Sequence, residues 1–211
     1  MARNLLRHLH ISTEFAFLLS GVFIMLVAWA LNLMGVISGE SDSGHGASDV
    51  YLWLFLMFQG LAFSMVGVVG LNYRELMVNT RLARRYLAAF LLIADGGLHL
   101  LAFNQHLVGS VFVAAFFAVV APVQILGGIT FPYQQPRFDV AWLLFTIFLI
   151  GTYLLTRTFP IWPIGAVEDI DPLGVISKLI EFLTVGVLIS LMRSESKQRL
   201  SSPPASLTKT I

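Results

Sequence analysis

Residues 87–103 read LAAFLLIADGGLHLLAF, and residues 106–128 read HLVGSVFVAAFFAVVAPVQILGG. A membrane-spanning helix takes roughly 20 consecutive apolar residues, and each run is long enough to supply one. So little polar sequence separates the two runs that they are expected to form an antiparallel helical hairpin. This hairpin places Asp95, His99, His106 and Gln124 inside or at the edge of hydrocarbon. An ionisable side chain near the centre of a spanning helix costs about 2.5–3.5 kcal/mol on insertion scales, so such residues face the bundle interior and seek partners. They are the first candidates for function.

The rest of the chain has the same character. Of 211 residues, 57% are hydrophobic and 12% charged, against about 25% charged in soluble domains, and the mean hydropathy is +0.81. Roughly 20 residues per span leaves room for five to seven spans and for no separate soluble domain. A net charge of +1 gives no reason to invoke nucleic acid. With no cysteine, disulfides, thiolate metal sites, thiol nucleophiles and cysteine lipidation are excluded.

Working outward from the hairpin, the first span is expected over about Thr13 to Ile37, behind the basic segment MARNLLRHLHIS. Ala28-Trp29-Ala30 imitates a signal-peptide cleavage site, but the apolar run is too long for a signal core, so a retained helix is expected. The second span covers about Tyr51 to Leu71, with Gly60, Ser64 and Gly67 forming a small-residue face. Pro122 and Gly127-Gly128 predict a kink near the end of the fourth span. A fifth runs from about Val140 to Thr156, and a sixth follows Pro172 to about Met192 with Lys178 and Glu181 on one face. Residues 1–192 thus read as one transmembrane domain and residues 193–211 as a flexible polar tail.

Arg3, Arg7, Arg74, Arg81, Arg84, Arg85, Arg137, Arg193, Lys197, Arg199 and Lys209 fall in alternate loops and the termini, whereas the opposite loops hold only Arg157. The positive-inside rule then predicts an all-α, six-helix integral membrane bundle with both termini cytoplasmic. In a prokaryotic cytoplasmic membrane, its surroundings are lipid and other membrane subunits.

Asp95 to His99 is a step of four residues and His99 to His106 a step of seven, which align on one helix face opening outward. Three readings of this polar cluster stay open. In the first it only ties helices together: Asp95 pairs with Lys178 or Arg157, and Lys178, Arg157, Asp169 and Asp171 form structural ion pairs. In the second, His99 and His106 with Asp95 and Glu181 hold copper, zinc or haem, with the Glu168 to Asp171 loop as a further source of carboxylate. Seven helical residues span about 10 Å, too far for both imidazoles to reach one ion unless the chain turns near Asn104. In the third, Asp95 and Glu181 pass a cation or protons. Gln124 is expected on the inner half of its helix, away from the cluster.

No familiar membrane-enzyme pattern fits: there is no Gly-x-Ser-Gly nucleophile, and Asp95 stands in Ile93-Ala94-Asp95-Gly96 without the Gly-x-Gly-Asp of intramembrane aspartyl proteases. Asp95-Gly96-Gly97-Leu98-His99-Leu100, followed by His106, Phe116-Phe117, Gln124, Arg157-Thr158 with Pro160, and Glu181, resembles a group of uncharacterised small polytopic membrane proteins of archaea and bacteria. The resemblance covers somewhat more than the C-terminal half. It implies that the histidine hairpin and the Arg157 loop belong to one architecture, and brings no activity with it. The sequence alone therefore points to a non-catalytic subunit of a larger membrane assembly, an oxidoreductase or other metalloenzyme, with an independent transporter or channel for a small cation or protons as the alternative.

Overall fold

The computed structural model describes residues 12–38, 47–160 and 167–201. The described residues form seven α-helices and no strand: α1 Thr13–Ser38, α2 Ala47–Leu71, α3 Tyr73–Val78, α4 Thr80–His106, α5 Val111–Thr130, α6 Asp139–Thr158 and α7 Pro172–Ser201. All but the short α3 are long and apolar enough to cross a membrane, as expected of a multi-pass membrane protein. Arg3, Arg7, His8, His10, Glu40, Asp42, His45, Trp162, Pro163 and Lys209 lie outside the described residues.

The bundle is built around α4. Two thirds of its apolar window (67%) is buried, against 11% for α1, because α4 packs against α5, α7, α1 and α2. Leu98, Leu101 and Ala102 of α4 meet Leu54 and Met57 of α2, while Ala88, Ala89 and Leu92 meet Leu188 and Leu191 of α7 and Phe131. The exposed side chains of the outer helices, such as Phe23, Met34, Phe55 and Leu144, are large and apolar, as suits contact with lipid. The small-residue face of α2 is used within the chain. Methyl groups at Gly60 and Gly67 would strike Met25, Gly21, Glu14 and Leu18 of α1, so glycine is what lets α1 and α2 touch backbone to backbone.

Several boundaries differ from those expected. The basic stretch before Leu87 is helical, forming α3 and the first turns of α4, with Asn79 Oδ1 accepting from the Leu82 amide as N-cap. Arg85 in that stretch is buried and far from solvated. Its Nη1 donates to Asp139 Oδ2 at 3.1 Å and its Nη2 to the Phe131 and Gln134 carbonyls, both at 2.9 Å, with the guanidinium 4.6 Å from the Phe131 ring centre. One side chain therefore pins the α5–α6 turn to α4. At the other end of the chain, α7 continues to Ser201, so residue 192 is no helix end and the first part of the expected tail is helical. Helix α5 likewise runs through Pro122 and the Gly127-Gly128 pair to Thr130.

Gly127 is required by α6. A Cβ there would lie inside the Trp142 ring, whose Nε1 is held by Gln134 Oε1 at 2.8 Å and so has little freedom to withdraw. Gly151, by contrast, has open space around it. Gly127→Ala is expected to cost roughly 1–3 kcal/mol by overpacking, and Gly151→Ala nothing measurable, when unfolding is followed by far-ultraviolet circular dichroism in mixed detergent micelles.

Candidate functional site

Three helices converge on Asp95. Gly96 and Gly97 follow it, and a Cβ at Gly96 would meet Ile125 at 2.7 Å and the Ala121 carbonyl at 3.1 Å, while one at Gly97 would meet Met57 at 2.9 Å. The missing side chains let α5 and α2 close on α4 beside the aspartate. Gln124 of α5 then reaches two residues of α4: its Nε2 donates to Asp95 Oδ2 at 2.5 Å, and its Oε1 lies 2.5 Å from His99 Nδ1. From α7, Ser177 Oγ donates to Asp95 Oδ1 at 2.6 Å. Asp95, His99, Gln124, Ser177 and Glu181 are all buried.

The hydrogen-bond directions fix the histidine. The Asp95 carboxylate only accepts, so the Gln124 amide turns its NH2 to Asp95 and its oxygen to His99. The shared proton therefore sits on Nδ1, and Nε2 carries a lone pair. That lone pair faces Ser177 Oγ at 3.4 Å, whose proton is already given to Asp95, and Glu181 Oε1 at 3.9 Å. Glu181 Oε1 accepts from Lys178, and its Oε2 is buried with no partner among the described residues. Ligand atoms of Asp95, His99 and Glu181 all lie within 4.8 Å of one another. Two carboxylates and a histidine nitrogen thus converge in one buried group, which a shared proton or a bound cation would satisfy.

Beside this cluster a cavity of about 500 Å³ lies between α4, α5, α6 and α7. His99 and His106 both stack on Phe117, with ring centres 5.2 and 5.7 Å away. At the rim, Arg157 pairs with Glu168 and with Asp171 Oδ2 at 3.3 Å, and lies 4.3 Å from the Tyr153 ring centre. Asp171 Oδ1 accepts from the Gly174 amide at 2.7 Å and so also anchors the start of α7.

Asp95, His99 and Glu181 are brought together as expected of one site, whereas His106 stands apart at the end of α4 on the cavity wall. The rise of a helix, about 10 Å over seven residues, accounts for that separation. Asp95 pairs with neither Lys178 nor Arg157, because the nearer Gln124 and Ser177 already occupy both of its oxygens. Lys178 pairs with Glu181 along α7. Asp169 is exposed, and its neighbour Glu168 takes the place expected for it beside Arg157. The expectation that Gln124 stands away from the cluster is overturned, since it is the bridge of the network. Ser177 gave no signal in the sequence beyond lying one turn before Glu181 on α7. No family model, curated protein or solved structure matches the chain.

Proposed function

We propose that this chain is a non-catalytic subunit of a larger membrane assembly, an oxidoreductase or other metalloenzyme in a prokaryotic cytoplasmic membrane, and that it holds a divalent metal between His99 Nε2, Glu181 and Asp95. The observation that carries the reading is the buried Glu181 Oε2, without a hydrogen-bond partner among the described residues, beside a histidine nitrogen whose lone pair meets only the Ser177 hydroxyl at 3.4 Å. One imidazole and two carboxylates suit zinc or copper(II). Tetrahedral zinc with bonds of about 2.1 Å would need its ligand atoms roughly 3.4 Å apart, a spacing that side chains with ligand atoms within 4.8 Å of one another would meet by small rotations. Lys178, which pairs with Glu181 Oε1 and leaves Oε2 open, also lies 5.3 Å from the Tyr153 ring centre. Gln124 and Asp95 hold His99 in the tautomer that leaves Nε2 free, as outer-sphere partners do at metal sites. His106 has no part in this site.

The same buried carboxylates support a second reading, an independent carrier of a small cation or protons. Purification in mild detergent, followed by metal analysis and mass spectrometry of accompanying chains, separates the two. A bound metal and a defined set of redox subunits are expected. A metal-free homo-oligomer that conducts ions in liposomes contradicts the proposal and supports the carrier.

The excess of Lys and Arg in alternate loops supports an orientation with both termini in the cytoplasm and the cavity toward the outside. The chain has no cysteine of its own, so single cysteines report each side cleanly. Val108→Cys, in the α4–α5 turn, is expected to react with an impermeant thiol reagent on intact cells, and Tyr133→Cys, in the α5–α6 turn, to remain unlabelled; both positions are 80% exposed, so access to the reagent is not limiting. Labelling of Tyr133→Cys from outside overturns the orientation.

A further inference from the structure

The cavity opens sideways. Phe112 of α5 and Phe148 of α6 line it, yet they are 60% and 55% exposed at the periphery of the bundle, where the two helices part. Phe112 is the second residue of α5 and Phe148 lies ten residues before the end of α6, about 15 Å along the helix, so the opening runs from that end of the bundle down to hydrocarbon depth. A molecule dissolved in the bilayer reaches the cavity without crossing water.

Its walls also state what they take. Leu98, Phe116, Phe117 and Leu149 supply an apolar, largely aromatic lining. On the α6 side, Tyr153 Oη and Arg157 Nε are buried donors without partners among the described residues. On the side of α4 and α7, His99 lines the wall with Ser177 and Lys178, and its Nε2 lone pair meets only the Ser177 hydroxyl, at 3.4 Å. A fatty-acid carboxylate finds no free cation, because Arg157 is paired with Glu168 and Asp171, and Lys178 with Glu181. A volume of about 500 Å³ lies within the 300–1,000 Å³ usual for ligand sites.

We infer that the cavity binds a lipid-soluble hydroxylated aromatic of the quinol type, its hydroxyl directed to His99 beside Ser177, a second ring oxygen to Tyr153 and Arg157, and its hydrocarbon tail leaving between Phe112 and Phe148. The inference rests on the proposed metal site, whose ligand class it names. The ring hydroxyl meets that site at His99, the one member of the metal group that lines the cavity.

The test is quenching of the fluorescent quinol analogue nonylhydroxyquinoline N-oxide by the zinc-loaded, full-length protein in detergent, with zinc measured on the same samples. Saturable binding is expected in the wild type. Thr152→Trp, which adds bulk to the cavity wall, weakens it at least about tenfold, and Tyr153→Phe, which removes one donor, about three- to tenfold, while zinc content stays unchanged in both. Laurate in excess does not compete. Absence of saturable quenching, equal affinity in Thr152→Trp and Tyr153→Phe, or displacement by laurate overturns the inference. Zinc without the analogue defeats only the ligand assignment, and the analogue without zinc defeats only the metal.

Discussion

Arg85→Met is expected to destabilise the folded chain by about 3–5 kcal/mol, the usual consequence of removing one member of a buried ion pair. Asp139, fully buried, then loses its principal counter-ion, and the Phe131 and Gln134 carbonyls lose their donor. Because that guanidinium fastens the α5–α6 turn to α4, the whole turn loosens, including the Gln134 contact to Trp142. Arg85→Met combined with Asp139→Leu recovers part of the loss, since the desolvated charge is removed with its partner, and the two effects are therefore non-additive. Equilibrium unfolding in mixed micelles of the two single variants and the double variant measures the coupling. Additive losses mean that the pair is not a unit.

At the proposed site, His99→Ala and Glu181→Gln are expected to abolish zinc or copper binding, each by removing a ligand. Gln124→Ala leaves every ligand in place and still lowers affinity about 10–100-fold, in line with the loss of an outer-sphere partner. His99 then loses the acceptor that fixes its proton on Nδ1, and Asp95 loses a donor. His106→Ala leaves affinity unchanged. Competitive titration with a metal indicator on the four purified variants gives the order, and a Gln124→Ala protein binding as tightly as wild type means that the bridge does not orient the ligand.

The six long helices were legible because hydropathy over about 20 residues decides whether a segment spans, and apolar runs dominate this chain. The Asp95–His99 pair was legible as well, from its four-residue spacing. Gln124 could have been found by depth. Measured back from the 107–110 turn at 1.5 Å per residue, Asp95 and Gln124 lie about 17 and 20 Å away, nearly level across an antiparallel hairpin. Arg85 was not legible. It sits among Arg81 and Arg84 in a stretch that reads as a positively charged loop, and its partner Asp139 is 54 residues distant, so no local pattern marks the contact. The replacement of Asp169 by Glu168 beside Arg157 is of the same kind, because the path of an irregular loop decides which of three nearby acids meets the guanidinium.

X-ray absorption on the zinc-loaded wild-type protein in detergent tests the metal site most directly. One imidazole nitrogen and carboxylate oxygens at about 2.0–2.2 Å are expected, with the imidazole signature lost in His99→Ala and kept in His106→Ala. A shell of oxygens alone, or an imidazole signal that survives His99→Ala, contradicts the site.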